Sequence, residues 1–258
     1  MKTNRSRSSR LLRKLPRPNR EQLLTAGREM ARLARDYAVP IIFAPPLGVK
    51  GKINGATGFG VRLGSGIFIA TAYHVLYDKG AYVDRIQKGH RVHCLIGNLP
   101  PLDPVSRVAW QDKELDVVFL RISEAEAMAI GPCVISSPPK WPPDPPKEGE
   151  LVLMAGYPKS LRKADRDAGS IGSGPLSAVF QVRQVKEGCC TCVVERSDLV
   201  PFEGKLPRPR TKIGGMSGAP VLRVQTISYP IVGIFSGSFK ITTQVELVQF
   251  ATLDKVKI

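Results

Sequence analysis

Ile69-Ala70-Thr71-Ala72-Tyr73-His74-Val75, then Leu115-Asp116-Val117-Val118-Phe119-Leu120, then Gly214-Gly215-Met216-Ser217-Gly218-Ala219-Pro220 follow one another along this chain. Each stretch delivers one polar group at the edge of an apolar or glycine-rich run: an imidazole after a buried strand, a carboxylate before another, a hydroxyl in a turn. The order His, Asp, Ser is itself informative, because unrelated folds reach the same catalytic constellation in different chain orders.

His74, His90 and His93 are the three histidines available as a general base, and all precede Ser217. An α/β-hydrolase places its histidine after the nucleophile and a glycine two residues beyond it, where this chain has Ala219. That fold is excluded. The subtilisin order needs an aspartate ahead of the histidine, and the one aspartate before His74 is Asp36, in a stretch that reads as a basic surface helix.

The 258 residues, 43% of them hydrophobic, are enough for one large core or two small ones. No run of about 18 apolar residues is present, and the N-terminal residues lack the apolar segment of a secretory signal, so a cytoplasmic protein is expected. Import into mitochondria remains an alternative, since the arm is rich in Arg and Ser and free of acids. Of the net charge of +16, half lies in the first twenty residues, which hold eight basic groups and no acidic one. Such an arm is either a solvated tail or a tether to an acidic partner, nucleic acid or an anionic surface.

Five cysteines, an odd number without an export signal, read as free thiols. The cluster Cys189-Cys190-Thr191-Cys192 lacks the usual spacer of a zinc knuckle, and no metal is expected.

Residues 1–45 read as the basic arm followed by an amphipathic helix, with Leu23, Ala26, Met30, Leu33, Ala34 and Tyr37 on one stripe. Beyond Pro45 the texture is all-β: short runs of Val, Ile and Phe broken by Gly, Pro and Asn. Six prolines between Ser136 and Gly149 forbid helix and central strand there, which makes residues 136–149 a linker. Residues 46–135 and 150–258 then form two β-rich halves, read as two small barrels, and the three polar groups meet only where the halves meet. The segment from Pro158 to Pro175, rich in Gly, Ser and charge, reads as a loop.

A serine hydroxyl is too weak an acid to attack a peptide bond at neutral pH unless a base takes its proton. His74 is the candidate base, and Asp116 would hold its ring in the right tautomer. Gly214 and Gly215 give the turn the freedom to aim the N–H groups of Gly215 and Ser217 at one point, an oxyanion hole. Each stretch alone also reads as ordinary structure; their order and context together carry the inference.

These residues resemble the chymotrypsin-like serine peptidases, nearer to the bacterial and intracellular members than to the secreted digestive ones, over about Pro45 to Ile258. The carriers are Thr71 to His74, Asp116 to Leu120 and Gly215 to Pro220. The resemblance implies two six-stranded antiparallel β-barrels, a polypeptide substrate, no cofactor, and catalysis by His74, Asp116 and Ser217. It also implies that Ser236, Gly237 and Ser238 pair with an extended substrate, and that Ser236 supports Asp116. Thr211 stands where trypsin has the acidic residue of its specificity pocket, so no Lys or Arg preference is implied. Met216 stands where the digestive enzymes bind a newly cut N-terminus with an aspartate, so activation by that ion pair is not available. The alternative function is a catalytically silent member of the family that binds peptide or nucleic acid.

Overall fold

The computed structural model describes residues 36–46, 48–64, 66–135, 140–165, 170–195, 199–201, 215–224, 230–240, 242 and 245–258. The basic arm and nearly all of the expected helix lie outside them.

The first sheet contains β1 (Val39–Ala44), β2 (Asn54–Leu63), β3 (Gly66–Thr71), β4 (His93–Ile96), β5 (Val108–Asp112) and β6 (Val117–Ile122), in the order β4-β1-β2-β3-β6-β5. A short seventh strand, β7 (Val134–Ile135), pairs parallel with β2. Among the described residues no pairing joins β4 to β5, although Leu102 bridges to Cys94.

The second half begins with β8 (Leu151–Gly156), followed by a separate hairpin of β9 (Arg162–Asp165) and β10 (Ser170–Ser173). Its sheet is completed by β11 (Leu176–Lys186), β12 (Cys189–Glu195), β13 (Leu199–Pro201), β14 (Pro220–Arg223), β15 (Ile231–Lys240) and β16 (Val245–Thr252). The order β12-β16-β15-β14-β8-β11 closes on itself through the β11–β12 pairing, and β13 extends β11. One closed six-stranded barrel beside a second, mostly antiparallel sheet is consistent with the chymotrypsin-like double barrel expected from the sequence.

Successive strand residues point to opposite faces, so a strand packed on both sides must be apolar without a break. In β6, Val118 and Leu120 enter the core of the first sheet, while Val117 and Phe119 enter a core shared by both halves. In β8, Val152 and Met154 fill the second barrel, while Leu153 and Ala155 join the shared core. The shared core is what clamps the halves together. Phe119 sits at its centre, edge-on to Phe68, Trp110 and Trp141 at ring separations of 6.2, 5.8 and 6.0 Å.

Trp141 belongs to the proline-rich linker, which therefore packs against the seam. Arg223 ties it further, donating to the carbonyls of Asp144 and Pro145 and to Glu150.

Two expectations need correction. Residues 39–44, assigned to the arm and helix, form β1, flanked by β2 and β4, so the first sheet starts at Val39. Pro40 masks this strand, because a residue without an N–H reads as a strand breaker although here its carbonyl still accepts from Gly97. The stretch read as a loop from Pro158 to Pro175 contains the β9–β10 hairpin.

The described residues also include the short helices α1 (His74–Tyr77), α2 (Tyr82–Gln87) and α3 (Glu124–Ile130), the last opened by a Ser123–Glu126 capping box. None is long enough to show a sustained helical period. Among the described residues no helix is long and apolar enough to cross a membrane, and no group of three or more His, Cys, Asp or Glu side chains could hold a metal ion. Cys190 and Cys192 point into the second barrel, where burial, ahead of the nearby acidic groups and thiols, pushes the Cys190 thiol up to about 12.

Candidate active site

Strand β3, buried from Ile67 to Thr71, hands the chain to Ala72, also buried, and the imidazole emerges at the first residue of α1. Its direction is set by Asp116. The turn before β6 is held by Asp112, whose Oδ1 accepts from the N–H groups of Glu114 and Leu115. Asp116 follows at a φ of 58°, a left-handed conformation that Asp tolerates better than most residues.

From that position its carbonyl accepts from the Tyr73 N–H at 3.1 Å and its Oδ1 from the His74 N–H at 2.9 Å. The same carboxylate lies 2.8 and 3.0 Å from His74 Nδ1 through Oδ2 and Oδ1. An ionised carboxylate only accepts, so Nδ1 carries the proton and Nε2 keeps its lone pair. Burial works against a charge on the ring, but the hydrogen bond and the charge of Asp116 outweigh it and raise the His74 pKa above its ordinary value.

Ser217 comes from the other half, in the turn before β14. Met216 anchors that turn in the second barrel core. Gly218, at a φ of 87°, donates to the Phe235 carbonyl at 2.8 Å. Its missing Cβ is essential, because a methyl there would come within 2.0 Å of Thr71 Oγ1 and 2.1 Å of the Thr57 carbonyl. Ser217, Gly215 and His74 line one open cleft of about 310 Å³, together with Ala56, Asp78 and Lys159.

A residue-by-residue family comparison matches residues 56–226 to the trypsin-like peptidase domain. The chain belongs to that family. The matched span holds His74, Asp116 and Ser217. No curated protein matches the chain.

Among solved structures, the peptidase is similar to the Rv3671c protease of M. tuberculosis in its active form, at 15% identity, 92% coverage of this chain, 87% of that one and a TM-score of 0.44. It is similar to the thermostable serine protease AL20 from an extremophilic microorganism at 13% identity, with 83% and 91% coverage and a TM-score of 0.44. It is also similar to the protease Anisep of Arthrobacter nicotinovorans at 13% identity, with 83% and 89% coverage and a TM-score of 0.43.

Of the other residues singled out in the sequence, Thr211 and Gly214 lie outside the described residues. Ser236, Gly237 and Ser238 are half-buried on β15, where the ladder to β16 shifts register between Phe235 and Gly237. Among the described residues Ser236 makes no hydrogen bond to Asp116, whose carboxylate is taken up by His74. The expected support of Asp116 by Ser236 is therefore absent.

Two residues that sequence reasoning missed hold the peptidase's site together. Thr57, fully buried on β2, accepts from the Tyr157 N–H at 2.9 Å through its hydroxyl, and its carbonyl accepts from Thr71 Oγ1 at 2.7 Å. Arg162, at the start of β9, turns its guanidinium inward beneath Gly215, and burial pulls its pKa down to about 10. Neither carries a local sequence signal, because the contacts that tie each to the site, Thr57 with Tyr157 and Arg162 with Gly215, are distant in the chain.

Proposed function

We propose that this peptidase cleaves polypeptides as a serine endopeptidase through an acyl-enzyme. Ser217 Oγ attacks the scissile carbonyl while His74 Nε2 takes its proton; His74 then returns that proton to the leaving amine as the C–N bond breaks. Water repeats the sequence on the ester and frees Ser217. Asp116 holds the ring and stabilises the imidazolium without accepting the proton itself. The N–H groups of Gly215 and Ser217 stabilise the oxyanion.

The observation that carries this reading is the grip of the Asp116 carboxylate on His74, through both the ring Nδ1 and the main-chain N–H, beside a cleft that Ser217 also lines. A structural histidine needs no such fixed tautomer with its free nitrogen left as a base. An extended substrate would pair along Ser236 to Ser238, where β15 has run past its last pairing with β14 at Ile234.

Labelling with a fluorophosphonate tests the nucleophile. The wild-type protein should be labelled and Ser217→Ala should not, with unchanged circular dichroism; labelling that survives the substitution refutes the assignment. No labelling of a folded wild-type protein would favour the silent, peptide-binding alternative.

A further inference from the structure

Arg162 Nη2 faces three main-chain carbonyls, each from a different part of the fold. Its two protons reach Tyr157, just after β8, at 2.7 Å and Gly215, in the turn that carries Ser217, at 3.0 Å, while the Ala56 carbonyl, on β2 of the first sheet, lies at a longer 3.4 Å. The guanidinium is wedged in place. A Cβ on Gly55 would lie 2.5 Å from Nη1, and one on Gly215 would lie 3.1 Å from Nη2 and 2.7 Å from the Lys159 nitrogen.

Among the described residues no carboxylate pairs with this cation, and its Nε and Nη1 are buried without hydrogen-bond partners. Burying unpartnered donors and a charge is costly, and that cost is set against the bonds Nη2 makes to the carbonyls around it. What the guanidinium supplies and an apolar group cannot is a charged grip on the Gly215 carbonyl.

Gly215 needs such a grip. At a φ of 97° it is in a region open to glycine and free to leave it, since glycine rotates easily about both of its backbone bonds. Met216, buried in the second barrel, offers no charge with which to fix the turn. Thr57 Oγ1 approaches the same carbonyl at 3.4 Å, which is long for a strong bond. A charge-assisted bond is about twice as strong as a neutral one and fixes the peptide plane on which the direction of the neighbouring N–H groups depends.

We propose that Arg162 is a positioning residue that orders the oxyanion turn, the task left open by Met216. This rests on Gly215 and Ser217 being the oxyanion donors. It makes the turn competent through a residue already in the chain, with no new N-terminus required.

Three full-length variants test it: Arg162→Met, Arg162→Lys and Ser217→Ala. Two readouts are compared, the rate of fluorophosphonate labelling as a function of pH, and hydrogen exchange of residues 215–218 measured by mass spectrometry. Arg162→Met should slow labelling by about 100-fold, the scale of a misplaced catalytic group. Its pH midpoint should stay put because His74 and Asp116 are untouched, and exchange should quicken in the turn but not in β11 or β12. Arg162→Lys keeps the charge and should recover part of the rate; a lysine no better than methionine would contradict a charged grip.

Wild-type labelling and exchange in Arg162→Met overturn the proposal, and so does a loss of rate accompanied by a shifted pH midpoint and loosening throughout the barrel. If Arg162→Met does not fold, Arg162→Lys decides, since wild-type exchange in its turn together with a 100-fold loss of rate would also overturn it. If wild type is not labelled, while Arg162→Met still loosens the turn, the reading of Ser217 as nucleophile fails and the ordering role of Arg162 stands.

Discussion

The main-chain N–H of Thr57 donates to the carbonyl of Ser217 at 2.9 Å. One bond thus joins a strand of the first sheet to the turn that presents Ser217 from the second. The Thr57 carbonyl accepts in turn from Thr71, three residues before His74, so a short relay runs from the end of β3 to Ser217. The two halves of the site are registered through buried threonines as well as through the shared apolar core.

Replacing Thr57 by Val preserves the shape but removes the hydroxyl that accepts from the Tyr157 N–H. Loss of one part-buried hydrogen bond costs about 0.5–1.5 kcal/mol, and chemical denaturation should show a loss of that size. Unchanged stability with unchanged labelling would mean that the hydroxyl is dispensable.

Gly218→Ala is expected to be far more damaging. Its methyl would collide with Thr71 and the Thr57 carbonyl, and the left-handed backbone adds strain. Fluorophosphonate labelling should be lost even where soluble protein is recovered.

The pH dependence follows from Asp116. Its hydrogen bond and charge raise the His74 pKa against the opposing effect of burial, and only the neutral ring can act as base. The acidic limb of the rate profile should therefore have its midpoint above the ordinary imidazole value of about 6.5. Asp116→Asn should move that midpoint down and cut the rate by about 10⁴-fold, measured as hydrolysis of an activated ester across pH.

The shared core gives a test of the architecture. Phe119 is fully buried against Phe68, Trp110 and Trp141, so Phe119→Ala should cost about 3–5 kcal/mol in a denaturant titration.

Much of this was legible in the sequence because it was local. Ile67 to Ala70 and Val117 to Leu120 are apolar at consecutive positions, the pattern demanded when a strand is covered on both faces, and they frame His74 and Asp116. β1 was hidden by Pro40, and the β9–β10 hairpin by a composition of glycine, serine and charge that resembles a loop. Thr57 and Arg162 could not have been found, since the contacts that matter reach across the chain: 100 residues from Thr57 to Tyr157, and 53 from Arg162 to Gly215. No periodicity records a contact of that kind.

The central claim is that Ser217 carries the acyl group during turnover. Rapid quenching with acid during hydrolysis of a slowly deacylating ester, followed by peptide mass spectrometry, measures this directly. The account predicts one acyl adduct per chain, on Ser217, absent from His74→Ala; an adduct on another residue, or turnover with none at any time, contradicts it.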